Sequence, residues 1–271
     1  MNNKKTNIYP VLILLIVLMS GACERVVDLN LRDDVGKLVI EANITNKNEA
    51  QVIYLTQNVS FSQPNEYPPV SGAEVSVRSN NGKSYLFKES RPGVYTSDSF
   101  AGIAGEIYYL TVISDGKTYQ ASSQMPGFIP IDSVLAQKKE ISDDENERRI
   151  AIKFKDPINI QNQYRFLLHV NDTLIKQVYT TSDRLTDGRE VTYYFQINDD
   201  DIKVKVGDSV RVEMQCVDLP IYTYWFTLES SEGSGGPGGG VTPSNPPTNI
   251  MPTVLGYFSA HTTETQNIEV Q

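Results

Sequence analysis

The feature that most limits the fold of this chain is a series of short segments in which apolar and polar residues alternate. The first begins at Leu38, with one apolar and one polar side. This period of two is typical of a half-buried β-strand. Six more such segments follow, with turn residues between most of them. The predicted strands are 38–45, 52–56, 73–78, 83–88, 93–96, 107–113 and 117–122. Asn81-Gly82 and Asp115-Gly116 are typical of two-residue hairpin turns.

After Met125-Pro126-Gly127 the alternation resumes with larger apolar residues. Four segments carry a cleanly apolar side, and they span 150–154, 164–170, 191–197 and 210–216. Cys216 falls on the apolar side of the last one, which predicts a small core residue rather than a reactive thiol. The sequence therefore predicts an all-β protein of two consecutive β-sandwich domains, immunoglobulin-like or transthyretin-like, over 37–126 and 127–271.

One short helix is predicted near the C-terminus, over 218–228, because apolar and aromatic residues recur there at helical spacing. Asp218 can cap it and Pro220 suits its start. The competing interpretation of this stretch is an aromatic-rich strand.

A Gly- and Pro-rich loop, 230–249, follows the predicted helix and is predicted to be flexible. The segment 250–260 is then expected to return to a sheet, with Gly256 at a bulge or a close backbone contact.

The N-terminal residues have the pattern of a lipoprotein export signal. Lys4 and Lys5 precede the apolar run 11–19, and small residues lead into Cys23. Nine apolar residues are too few to cross a bilayer as a helix. We therefore predict a signal peptide over 1–22, lipid attachment at Cys23 and a polar tether over 23–36. The alternative is an ordinary signal peptide followed by an incidental cysteine.

Motifs of catalysis or metal binding are scarce. The chain has two histidines, His169 and His261, and neither a His-Glu-x-x-His nor a Gly-x-Ser-x-Gly pattern. The acidic runs 143–145 and 199–201 lack the alternating oxygens and central glycine of an EF-hand loop. We predict no catalytic, cofactor or metal residues and a protein that is not an enzyme. A carboxylate-dependent hydrolase stays as a minor alternative, because its two acids need not be close in sequence.

Charge and aromatic residues suggest what the chain could bind. A formal net charge of −9 argues against nucleic acid as a partner. The weak candidates for ligand or partner contact are two loop residues, Phe61 and Tyr67, and two residues of the predicted helix, Tyr222 and Trp225. For the helix pair, packing in the core is the stronger interpretation.

Eight blocks in fixed order carry a resemblance to a known family. They are CERVVDL at 23–29, LVIEANIT at 38–45, PVSGAEV at 69–75, GVY at 93–95, GEIYYLTV at 105–112, IDS at 131–133, NI at 249–250 and GYF at 256–258. Together they resemble the Bacteroidota outer-membrane lipoproteins of the domain of unknown function 4249 family. Such lipoproteins are often encoded beside TonB-dependent receptors. The resemblance supplies no catalytic residues.

The resemblance implies a lipid-anchored accessory protein that acts with a TonB-dependent receptor in nutrient capture or uptake. Its expected location is the outer membrane, with the cell surface favoured over the periplasmic side. The alternative is an adhesive or structural envelope lipoprotein of the same fold.

Overall fold

The computed structural model describes residues 35–60, 66–140, 142, 144–198, 202–232 and 245–271. The predictions for the signal peptide, Cys23, Phe61 and most of the Gly/Pro-rich loop fall outside these residues. The strands are β1 (Leu38–Thr45), β2 (Glu49–Gln57), β3 (Glu74–Ser79), β4 (Ser84–Arg91), β5 (Val94–Phe100), β6 (Ile107–Ser114), β7 (Lys117–Gln124), β8 (Ile131–Lys138), β9 (Arg148–Lys155), β10 (Gln163–Val170), β11 (Thr173–Leu174), β12 (Tyr179–Ser182), β13 (Glu190–Tyr194), β14 (Ser209–Val217), β15 (Ile250–Met251) and β16 (Leu255–Glu269). One α-helix, α1 (Leu219–Glu232), and one 3₁₀ turn (Asp183–Leu185) complete the described elements.

Strands β1 to β7 confirm the seven predicted strands of the first half. They join in the order β1-β2-β5-β4-β3-β6-β7, and β15 adds to the free side of β7. Asp115 and Gly116 both have positive φ, at 50° and 72°, as a type I′ hairpin turn requires. The inward side chains form one hydrophobic core that includes Ile40, Tyr108 and Leu110.

The second half packs two sheets against each other. One sheet has the order β13-β9-β8, and the other contains β10, β12, β14 and part of β16. All four predicted apolar sides meet in a single core, which includes Phe154, Phe166 and Met214. Cys216 is buried there, and burial raises the pKa of its thiol to about 11. The all-β, sandwich-type fold and the core position of Cys216 are confirmed.

The long strand β16 connects both halves. Its first part pairs in parallel with β1, from Val39–Leu255 to Thr45–His261. Its second part pairs antiparallel with β14, from Cys216–Thr262 to Ser209–Glu269. Residues 35–271 consequently form one compact unit.

The C-terminal segment contributes to the first core as well as to the second. Ile250, Phe258 and Ala260, which sequence analysis placed in the domain 127–271, pack in the core of the first half. Ile268 packs against the core of the second half. The reason is that all residues on one side of a strand face the same way, so one side of β16 can serve two cores in succession.

The predicted helix is present as α1, and the competing strand interpretation is wrong. Asp218 caps the helix, because its Oδ1 accepts the backbone N–H of Ile221 at 3.2 Å. Its Oδ2 accepts the Ser123 hydroxyl at 2.8 Å and the backbone N–H of Gln124 at 3.0 Å. The cap therefore also ties the start of α1 to the end of β7. The described part of the chain contains no helix with the length and apolar character needed to cross a membrane.

The side of β16 opposite the cores is polar but buried. Ser259, His261 and Thr263 all lie on it, each at most 5% exposed. The Ser259 hydroxyl lies 2.9 Å from Nδ1 of His261, and the Thr263 hydroxyl donates to Glu213 Oε1 at 2.8 Å. Hydrogen bonds of this kind offset the cost of burying polar groups.

Two titratable groups of this polar layer are strongly affected by their surroundings. Burial lowers the pKa of His261 to about 4, so the imidazole is neutral at pH 7. Burial acts to raise the pKa of Glu213, but hydrogen bonds from Gln215 and Thr263, together with nearby positive charge that includes Lys47, hold that pKa below its usual range. Glu213 therefore stays ionised while His261 stays neutral.

Gly256 should tolerate no side chain. It has φ of +95°, and an added Cβ would lie 2.0 Å from the backbone oxygen of Ile40. Gly256→Ala should lower the free energy of unfolding by more than about 3 kcal/mol. Gly116→Ala is the matched control, because Gly116 also has positive φ but meets nothing within 4 Å. It should cost only about 1–2 kcal/mol. Equal losses for the two variants in chemical denaturation would contradict the close contact.

Stability should fall as the pH is lowered from about 7 to about 4, in part because of His261. The pKa of this residue is about 4 in the folded chain, against an ordinary value of 6.5. The unfolded chain therefore binds the proton first as pH falls, which favours unfolding by up to about 3 kcal/mol. In His261→Asn this part of the pH dependence should disappear. Parallel unfolding curves for the two proteins across this range would refute the assignment.

Candidate functional site

The outward side of β4, β3, β6, β7 and β15 forms the candidate site. Strand register aligns one residue of each strand in a row that crosses the sheet. In order across the sheet, the row is Leu86, Ser76, Thr111, Gln120 and Met251. Neighbouring strands lie about 4.8 Å apart, so the row is roughly 19 Å long.

Side-chain size turns this row into a groove. Leu86 is 71% exposed and Met251 is 65% exposed, and these large side chains stand at the two ends. Ser76 and Thr111 are small and lie between them. We call this feature the transverse groove; it has a volume of about 610 Å³. That volume lies within the range of small-ligand sites, about 300–1,000 Å³.

A second row forms one wall of the transverse groove. Arg78 and Tyr109 are direct cross-strand partners on β3 and β6, and both line the groove. The guanidinium carbon of Arg78 lies 5.5 Å from the centre of the Tyr109 ring. This distance permits a cation–π contact, which helps to hold the two side chains against each other.

The Met251 end of the transverse groove is held by Asn249. Its Nδ2 donates to the backbone oxygens of Ser122 at 3.1 Å and Phe258 at 2.7 Å. Its Oδ1 accepts the backbone N–H of Phe258 at 3.0 Å. One side chain thus joins β7, β15 and β16, so the groove edge is supported by the strand that connects the two halves.

The lining of the transverse groove offers hydrogen bonds but little charge. Among the thirteen described residues that line it, Arg78 is the only Lys, Arg, His, Asp or Glu. The side chains of Ser76, Thr111 and Gln120 have no hydrogen-bond partner among the described residues. Hydroxyl and amide groups both donate and accept, and here they remain open to a ligand.

The contact residues predicted from sequence lie elsewhere. Tyr67 is 53% exposed, beside the segment that pairs with the end of β2. Tyr222 and Trp225 lie on α1 and pack with Ile221 and Tyr257 in a small apolar cluster. None of these three lines the transverse groove, and their role in ligand contact stays a prediction.

Trp225 is held in place by several contacts. Its ring lies 3.5 Å from the guanidinium carbon of Arg165 and 5.1 Å from the ring of Tyr257. Tyr222 stacks on Phe226 at 5.6 Å. These contacts favour the packing role that the sequence suggested for the helix pair.

Three acidic side chains converge at one end of the second half. Carboxylate oxygens of Asp156, Asp183 and Asp187 lie within 4.8 Å of one another, the only such group of potential metal ligands among the described residues. Asp156 accepts from the Tyr164 hydroxyl and from the backbone N–H of Gly188. Burial raises the pKa of Asp156, and the neighbouring carboxylates raise it further.

These acids also have a structural role. Asp183 accepts the backbone N–H of Asn162 at 2.7 Å, and Asp187 accepts that of Asn159 at 2.8 Å. The carboxylates therefore fasten the loop after β9 to the turn before β13. These acids could not be selected from sequence, because the chain contains 33 acidic residues and Asp156 lies far in sequence from Asp183 and Asp187.

The chain is similar to a known protein family and to solved structures. The family model described as "Domain of unknown function (DUF4249)" matches residues 24–267. No match is found among curated protein sequences. Among solved structures, the adhesin InvE of Yersinia pseudotuberculosis is similar at 16% identity and a TM-score of 0.21, over 68% of this chain and 57% of that chain. Because the matched residues cover most of its length, the chain belongs to the family described as domain of unknown function (DUF4249).

Proposed function

We propose that this protein is a lipid-anchored outer-membrane accessory protein that captures a ligand and acts with a TonB-dependent receptor in its uptake. The observation that carries the capture step is the transverse groove, a ligand-sized concave surface lined by hydroxyl and amide groups. Support for the anchor comes from the sequence before Cys23. The receptor partnership is supported by the resemblance of the ordered sequence blocks to Bacteroidota lipoproteins.

Binding rather than catalysis is the proposed role of the groove. General acid–base catalysis uses groups such as His, Glu, Asp or Lys positioned at the reacting atoms. The described lining instead combines hydroxyl and amide groups with the tyrosine, leucine and methionine side chains and one arginine. Such a surface can orient and retain a ligand, and it offers no pair of groups for exchanging a proton.

Lipid attachment at Cys23 can be tested by substitution. Cys23→Ala should leave the protein unprocessed or release it from membranes, since the acylated residue would be missing. Cys216→Ala is the matched control, because the other cysteine of the chain is buried in the core and its loss should not affect anchoring. Membrane fractionation and mass spectrometry of the N-terminus distinguish the outcomes. An unmodified Cys23 in a membrane-free mature protein would show that the anchor assignment is wrong.

Receptor partnership can be tested by affinity purification in mild detergent. The tagged full chain should recover a TonB-dependent receptor in near-equal amount, identified by mass spectrometry. The control is an unrelated tagged lipoprotein of the same membrane. If no barrel protein is recovered, and deletion of the gene leaves nutrient uptake unchanged, the uptake function is refuted and the adhesive or structural role takes its place.

A further inference from the structure

We propose that the transverse groove binds a short, neutral oligosaccharide. This inference rests on the proposed capture function and names the chemical class of the ligand. Three properties of the groove lead to it: the direction in which the groove runs, the chemistry of its floor, and the balance of charge around it.

The direction of the groove excludes recognition through backbone pairing. Peptides that add to a sheet run along a free strand edge and bond to unpaired backbone groups. The transverse groove instead crosses β3, β6 and β7, each of which is paired on both sides. A ligand in the groove must therefore be recognised by outward side chains, not by the backbone.

The floor of the groove suits a ligand rich in hydroxyl groups. Ser76 and Thr111 contribute hydroxyls, and Gln120 contributes an amide, in consecutive positions across three strands. Each can donate and accept a hydrogen bond. Sugar hydroxyls also donate and accept. They can therefore satisfy the hydrogen-bonding groups of all three side chains without bringing a charge into the groove.

The Tyr109 ring and the two ends of the groove suit the apolar faces of sugar rings. Tyr109 is 38% exposed and presents an aromatic surface with a polar tip. Leu86 and Met251 close the two ends, and methionine adapts its shape to irregular ligands. Sugar rings carry C–H patches on their faces and hydroxyls on their rims. This mixed surface matches a groove with a polar floor, an aromatic ring in one wall and apolar side chains at both ends.

Charge favours a neutral ligand over an acidic one. Arg78 is the only ionised group in the described lining, and its guanidinium N–H groups can donate hydrogen bonds to neutral hydroxyls. Exposed Glu74 and Lys88, on the same outward side, carry opposite charges. The chain as a whole has a formal net charge of −9, which repels polyanions. Acidic glycans and nucleic acids are therefore disfavoured.

The test is a binding assay with defined probes. The purified full chain, in mild detergent, is titrated by calorimetry with maltotetraose, cellotetraose, mannotetraose and xylotetraose. Tetragalacturonate serves as an acidic glycan, and a pool of uncharged peptides tests the rival ligand class. We expect saturable binding of at least one neutral oligosaccharide and none of the acidic glycan or the peptides.

Three variants locate the bound sugar. Ser76→Tyr fills the floor with a residue that strands tolerate, and it should abolish binding. Tyr109→Ala should weaken binding about tenfold, the usual effect of losing an aromatic anchor. Tyr54→Ala is the matched control, because Tyr54 is 40% exposed on β2, outside the groove. It should leave the affinity for the sugar within about twofold of that of the unchanged protein.

Thermal unfolding verifies that each variant is folded. If Ser76→Tyr does not fold, Gln120→Ala replaces it.

Several outcomes would overturn this inference. They are binding of none of the neutral probes, undiminished binding by folded Ser76→Tyr, and preference for tetragalacturonate or the peptides. A dimer in sedimentation that Ser76→Tyr dissociates would mean that the groove is an interface between two copies. Recovery of a receptor without sugar binding would refute the ligand class alone. Sugar binding without a receptor would refute only the uptake function.

Discussion

The structure depends on how closely β16 approaches β1. Parallel pairing places Gly256 directly against Ile40, and an added methyl carbon at Gly256 would lie only 2.0 Å from the Ile40 oxygen. Beyond this contact the strand, which is fifteen residues long in total, continues to Glu269 and pairs with β14 in the second half. A single strand of this length removes an edge from both halves, and so protects both from unwanted pairing. The two cores are therefore built on a shared backbone element.

Local elements of this fold could be predicted from sequence because their causes are local. Alternation at Leu38–Thr45 defines a strand by itself, and Asp115-Gly116 defines a tight turn by its tolerance of positive φ. The helix start could be read from Asp218 and Pro220. The course of β16 could not be predicted from sequence. Its partner β1 is distant along the chain, and β14 is separated from it by the helix and the loop. Alternation identifies the buried side of a strand and not the strand that lies beside it.

The candidate site could not be predicted from sequence for the same reason. Alternation correctly places Ser76, Thr111 and Gln120 on the outward side of their strands, where each looks like an ordinary solvent-facing residue. Only the register of four strand pairs brings them into one row between Leu86 and Met251. The contact residues predicted from sequence were instead aromatic residues of a loop and of the predicted helix. The structure puts the groove on a sheet, and its aromatic residue, Tyr109, lies in the middle of a regular strand.

The groove and the connecting strand are physically linked through Asn249. This side chain makes hydrogen bonds to the backbone of Phe258 in β16 and of Ser122 in β7. Met251 follows two residues later and forms the end of the groove. Because Asn249 bonds to both strands, the position of β15 at the groove end is coupled to that of β16. The position of the groove end thus depends on the closure of the first core. The Asn-Ile and Gly-Tyr-Phe blocks, on which the family resemblance partly rests, contain Asn249 and Phe258, the two residues that this connection joins.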